Sequence, residues 1–333
     1  MIKKLILAVV AVLVLCLAGV LGLTSSQSPK RHFDSSEISR MPFELLTEGN
    51  FAGMPRVTNF TARDGTLLPY RLYKSSTPSN RKVYLLHDVG WHGMILNDLA
   101  TSLAYAGAAD IIVPDLRGHG TSPAIRGSAA YTGQLEDDLA DLIKQTSNPG
   151  DRIIIGGYSF GGGLAIRFAA GPNGKMAQNY FLLAPFLGFS SEVNAIDADP
   201  WLQPLSRKIM GIKALNALGL DLLGSNIVLQ LSYPKEFLNH PLSYTVTKEL
   251  DWHLLSSLDP SPVLEDGLEN MKSGLLVVAA GRDELFTASQ YKPVISEYAK
   301  NAEFQIVDNA NHINLLNSPK TLTIIQKWLS NLP

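Results

Sequence analysis

Residues 152–163 read RIIIGGYSFGGG, and this stretch decides how the rest of the chain is interpreted. Arg152–Ile155 opens a β-branched apolar run of the kind found in buried strands, and Gly162–Ala170 has the composition of a helix. Between them lies Gly157-x-Ser159-x-Gly161. A strand that turns sharply into a helix holds its serine in a strained backbone, and glycines on either side let neighbouring chain approach without a Cβ clash. The helix N-terminus then lies beneath Ser159, where its positive end favours a developing oxyanion. A glycine-rich turn without chemistry is the competing interpretation. The strand before and the helix after favour a nucleophile.

Outward from this stretch, short apolar runs alternate with helical patterns. Strands are expected at Val83–Leu86, Asp110–Pro114, Tyr180–Leu183, Gly274–Ala280 and Ala302–Val307, and helices at Leu96–Tyr105, Gln134–Lys144, Gln290–Tyr298 and Thr321–Leu329. VTNFTARDGTLLPYRLYKS from Val57 predicts a hairpin that turns at Asp64–Gly65. The pattern predicts an α/β fold with a mostly parallel central sheet and helices on both faces. The rhythm breaks after Pro185, where LSRKIMGIKALNALGLDLL and TVTKELDWHLL are helical in character. The organisation expected is a leader over 1–23, a polar linker and loosely packed lead-in over 24–55, a core formed by 56–187 and 265–333, and a mostly helical insertion over 188–264.

The chain has 333 residues, 46% hydrophobic and 17% charged, with a formal net charge of −2, which suits a large globular core and argues against a nucleic-acid surface. Lys3 and Lys4 precede an apolar run from Leu5 to Leu23 that ends in a polar stretch, the pattern of an export signal or a signal anchor. No small-x-small cleavage site stands out, although Thr24–Gln27 offers a place for one. The domain is therefore expected outside the cytoplasm, either membrane-anchored or released. Cys16 is the only cysteine and lies in that run, so the rest of the chain has no disulfide, cysteine nucleophile or cysteine-ligated metal. Nothing in the sequence sets an oligomeric state.

A serine hydroxyl needs a base, and the base needs a carboxylate to orient it. Of seven histidines, His312 in DNANHINLL follows the last strand and precedes the last helix, on the sheet edge that carries Ser159. His87, His92 and His119 also lie on edge loops, but upstream of the serine; His32, His240 and His253 fall in the lead-in or the insertion. Asp283 in VVAAGRDELF follows the penultimate strand and is preferred to the adjacent Glu284. A helix N-cap is the competing role for it. The order Ser, acid, His makes the upstream histidines weaker candidates for the base. The expected oxyanion donors are the backbone N–H groups of Phe160, which follows the serine, and Val89, in the LLHDVGWHG loop; His87 is expected to brace that loop. No cofactor or metal is implied.

His87, the loop DLRGHGTS at Asp115–Ser122, GYSFG, GRD and NH together resemble the α/β-hydrolase superfamily from about Val57 to Leu329. Within it the chain is most similar to the lysophospholipase and monoacylglycerol-lipase branch, often grouped with proline-specific serine aminopeptidases. The resemblance implies a Ser159–Asp283–His312 triad, an oxyanion hole at Val89 and Phe160, and a helical cap over 188–264. An ester substrate follows, with a lysophospholipid or monoacylglycerol as the specific candidate. A peptidase or amidase would use the same triad, and a membrane-tethered binding protein would keep the fold without turnover. Two residues depart from the family pattern. Asp88 stands where glycine usually follows the histidine, which places a negative group near the oxyanion, and Asn311 replaces the glycine that often precedes the base.

Overall fold

The computed structural model describes residues 53–332 except 122, 272 and 273, together with 3–4, 18–29, 39, 41–44 and 51. Eight strands form one sheet in the order β1-β2-β4-β3-β5-β6-β10-β11. They are β1 (Thr58–Thr61), β2 (Leu67–Tyr73), β3 (Arg81–Leu86), β4 (Asp110–Pro114), β5 (Arg152–Tyr158), β6 (Asn179–Leu183), β10 (Leu275–Ala280) and β11 (Glu303–Val307). The hairpin expected at Asp64–Gly65 is present, with Thr61 paired antiparallel to Leu67. β2 runs antiparallel to β4, and every pair from β4 to β11 is parallel.

The helices that follow these strands are α1 (Asn97–Tyr105), α2 (Gln134–Thr146), α3 (Phe160–Ala170), α7 (Leu264–Asn270), α8 (Tyr291–Ser296) and α9 (Pro319–Asn331). α1 packs with α9, while α2 and α7 pack with α3. β4, β6 and β10 are buried along their whole length, which is why they read as unbroken apolar runs and not as alternation. This is the α/β-hydrolase fold.

Parallel strands bring their C-terminal ends to one edge, and the register there sets what meets what. Leu86 pairs with Gly157, so the loop after β3 lies beside the turn that carries Ser159. Ala280 pairs with Val307, so the loops bearing Asp283 and His312 also leave side by side.

Between β6 and β10 the chain forms α4 (Ser206–Ala217), α5 (Lys235–Leu238) and α6 (Trp252–Ser256). The same insertion also holds a three-stranded antiparallel sheet, β7 (Leu202–Pro204), β8 (Ile227–Leu231) and β9 (Glu249–Asp251), where the sequence shows no strand alternation. Three-residue strands are too short to display a period of two, and the run IVLQL is buried on both sides from Val228 to Leu231.

The N-terminal apolar run lies mostly outside the described residues, since 5–17 are not among them. Residues 18–25 are helical, and among the described residues no helix is long and apolar enough to cross a membrane. The lead-in differs from a loose linker where it is described: Met41 and Phe43 are buried in the core cluster, and the backbone N–H of Arg207 in α4 donates to Gln27 Oε1 at 3.0 Å.

Gly161 shows how closely the edge is packed. A Cβ there would lie 2.4 Å from the carbonyl oxygen of Leu86 and 2.6 Å from that of His87. Gly171, at the end of the same helix, has nothing nearer than 3.4 Å. Gly161→Ala is therefore expected to lower stability by about 1–3 kcal/mol in urea unfolding, and Gly171→Ala by clearly less. Equal losses would contradict this packing.

Candidate active site

Ser159 sits at the turn between β5 and α3 with φ 53° and ψ −119°. That left-handed φ is strained for a residue with a side chain, and its surroundings hold it in place. Its N–H donates to Leu183 O at 2.9 Å, and its carbonyl accepts from Gly162 and Phe186, both at 2.9 Å. From this position Ser159 Oγ lies 3.1 Å from His312 Nε2. His312 Nδ1 lies 2.9 Å from Asp283 Oδ2 and 3.1 Å from Oδ1. The three residues expected from the sequence form one hydrogen-bonded chain, wholly removed from solvent at Ser159 and His312.

The loops supply further constraints. Asp283 Oδ1 accepts the N–H groups of Leu285 (2.9 Å) and Phe286 (3.2 Å), which fixes the carboxylate while it faces the imidazole. Glu284 acts elsewhere on the same residue, and its Oε2 accepts the backbone N–H of His312 at 3.0 Å. Asn311 and Asn314 each accept the other's backbone N–H at 2.8 Å, so the departure at Asn311 closes the turn that carries His312. Tyr158 donates from its hydroxyl to His312 O at 3.1 Å. His87 is buried, with Nε2 accepting the N–H of Leu116 at 2.9 Å and Nδ1 placed to donate to Asp88 O. Burial is the main reason that its imidazole drops to about 3, with His119 adding to the effect, so His87 stays neutral and braces the loop.

Asp88 is the residue whose position the sequence left open. Its Oδ1 accepts the N–H of Val89 at 2.7 Å and that of Phe160 at 3.2 Å. These are the two donors expected for an oxyanion, and they converge on one carboxylate oxygen. The distances are those an oxyanion hole offers to a negative oxygen. Its Oδ2 lies 3.8 Å from His312 Nε2. Burial opposes a charge on His312, but Asp283 and then Asp88 outweigh it and raise the imidazole to about 10. In this arrangement the two carboxylates favour the protonated form of His312 over the form that accepts a proton from Ser159.

The insertion closes over this edge. Gly90, with φ +79°, follows the Val89 donor, and a Cβ there would lie 2.1 Å from the hydroxyl of Tyr233 in the insertion. Gly90 O also accepts the N–H of Thr247 at 2.8 Å. Beneath the insertion a chamber of about 20 Å³ lies against Asp88, Val89 and Tyr158, walled by Trp91, Trp201 and Tyr233 and by Met41 and Phe43 of the lead-in. Asp88 is the only charged group among its described lining residues. The described residues contain no group of histidines and carboxylates able to hold a metal ion.

Residues 77–319, well over half of the chain, match the serine aminopeptidase (S33) family. The chain belongs to that family. No curated protein matches the sequence significantly. Among solved structures, the monoglyceride lipase of Saccharomyces cerevisiae bound to a substrate analogue shares 15% identity at a TM-score of 0.60, over 83% of this chain and 95% of its own. The monoacylglycerol lipase of Paleococcus ferrophilus shares 20% identity at a TM-score of 0.58, over 79% of this chain and 98% of its own. A thermophilic esterase from Thermogutta terrifontis shares 18% identity at 0.56, over 83% and 98%. At these identities the three confirm the fold of this family member.

Removing the Asp88 carboxylate should free both N–H donors and lower the affinity of His312 for its proton. The groups facing His312 are Asp283, Asp88 and Glu284, with Tyr158 and Ser159 neutral. The imidazole accepts a proton only when neutral, so ester turnover in the wild type should climb with pH toward about 10. Asp88→Gly should move that limb to lower pH and raise kcat/KM at neutral pH by about tenfold or more, given the worth of oxyanion donors. A pH–rate profile unchanged in position and height would remove this role for Asp88.

Proposed function

We propose that the protein hydrolyses carboxylic esters through an acyl-enzyme on Ser159. The observation that carries this reading is the continuous chain from Asp283 through His312 to Ser159 Oγ, next to two N–H donors that already hold a negative oxygen. With Asp88 displaced, Ser159 Oγ attacks the acyl carbon while its proton passes to His312 Nε2. The carbonyl oxygen takes the negative charge against the N–H groups of Val89 and Phe160. Collapse of the intermediate breaks the bond to the alcohol oxygen, which leaves with the proton from His312. Water then gives a proton to His312 and adds to the acyl-enzyme, and the acid departs as Ser159 regains its hydrogen.

An ester is favoured over a peptide by the chamber walls. An aminopeptidase must hold a charged amino terminus; the one carboxylate lining the described chamber, Asp88, comes from the loop after β3, is engaged by the Val89 and Phe160 N–H groups, and has no counterpart from the insertion. Asp251 and Asp259 of that region accept hydrogen bonds from Leu254 and Ser261 instead. Aromatic walls suit a hydrocarbon acyl group, and the likeness to monoacylglycerol lipases and an esterase agrees with this choice. Lysophospholipids and monoacylglycerols remain the specific candidates within this reading, and their long chains enter only if Met41 and Phe43 give way.

Labelling with a fluorophosphonate, beside turnover of p-nitrophenyl acetate and of an aminoacyl p-nitroanilide, tests the proposal. Wild-type protein should be labelled and hydrolyse the ester, and Ser159→Ala should lose both, with turnover falling by about 10³-fold or more. Labelling that persists in Ser159→Ala, or faster cleavage of the anilide than of the ester, would overturn it.

A further inference from the structure

Met41 and Phe43 precede the span matched by the family, yet they reach the inside of the site. Phe43 is 2% exposed and Met41 5%, burial usual for core residues and not for a lead-in. The Phe43 ring centroid lies 5.3 Å from that of Tyr233, 5.5 Å from Phe237 and 5.9 Å from Trp201, all three in the insertion. A polar tether accompanies the aromatic contacts. Ser39 Oγ donates to Asp199 Oδ1 at 2.6 Å, and the same oxygen accepts the N–H of Trp201 at 2.9 Å. The segment is thus fastened to the part of the insertion that supplies the chamber's wall.

The chamber it closes is the space beside Asp88, Val89 and Tyr158, the last of which directly precedes Ser159. What remains of it, about 20 Å³, is close to the least volume that one water needs. A long alkyl chain has no room there while the phenyl ring is in place. The ring is itself an apolar group of the kind that an acyl chain would present to these walls, so the two compete for one space.

We propose that Phe43, seated with Met41, is the specificity-determining residue for acyl length: it fills the distal part of the acyl pocket, so that short acyl groups are accepted and long ones must expel the ring. This rests on the reading of the protein as an ester hydrolase acting through Ser159. A ring that only completed the core of the insertion would leave substrate choice unaffected, and this difference can be measured.

The full-length chain is compared with Phe43→Ala and Phe43→Leu, using ethyl and octyl fluorophosphonates and p-nitrophenyl acetate and octanoate. The wild type should react faster with the short member of each pair. Phe43→Ala should raise the long-to-short ratio by about tenfold or more in both assays, with Phe43→Leu between, since a few methylenes in an apolar pocket carry discrimination of that order. Thermal melting shows whether each variant is folded; if Phe43→Ala is not, the ratio for Phe43→Leu decides. Unchanged ratios in folded variants that still label would overturn the role of Phe43 while leaving the hydrolase reading intact. Absence of labelling and turnover in the wild type and in both variants would remove that reading and this proposal together.

Discussion

Two backbone N–H groups, from Val89 and Phe160, point at a single oxygen of Asp88, and the geometry of the site depends on that convergence. It requires the loop after β3 and the start of α3 to approach within one oxygen's reach of each other. The register of β3 with β5 provides the alignment, and Gly161 provides the clearance, because a side chain there would strike the Leu86 carbonyl. Both donors are buried, so in the absence of substrate they need an acceptor. Asp88 is that acceptor, and the charge it brings has a counterpart in His312.

This electrostatic arrangement resembles the one proposed for turnover. A carboxylate oxygen between two N–H groups, beside an imidazole whose protonated form is favoured by a second carboxylate, follows the charge pattern of a tetrahedral intermediate in serine hydrolysis. In this protein the negative oxygen belongs to the chain itself. The two donors are thereby satisfied from within the chain. With glycine in place of Asp88, the same two donors would face no such carboxylate.

The chamber beneath the insertion is closed by the same logic of internal occupancy. Phe43 and Met41 fill aromatic space under the insertion, much as Asp88 fills polar space under the two N–H groups. The insertion joins the two halves: Tyr233 touches the Phe43 ring and also presses its hydroxyl against Gly90, next to the Val89 donor. Movement of this wall would therefore be felt on both sides of Ser159.

Much of the fold was legible because its signals are local. The strand run Arg152–Ile155, the glycines about Ser159 and the loops bearing Asp283 and His312 each announce their position by composition, and a parallel sheet brings loops that follow its strands to one edge. The residue types of the Ser–His–Asp chain come from the same local reading, while the attention to Asp88 comes from the resemblance to the α/β-hydrolases. Short strands β7 to β9 were not legible, since pairing between segments about twenty residues apart leaves no periodic trace in three residues. The separate roles of Asp283 and Glu284 depend on angstrom-scale placement of adjacent carboxylates, which no sequence spacing encodes. Phe43 and Met41 were hidden in a polar, irregular lead-in because their partners lie in the insertion, far along the chain. Sequence by itself determined which groups could do chemistry and on which edge of the sheet they stand, because turn and strand propensities are local. Tertiary packing alone decided that the two N–H donors hold Asp88 and that the chamber beside them holds Phe43, because both outcomes depend on contacts between distant segments.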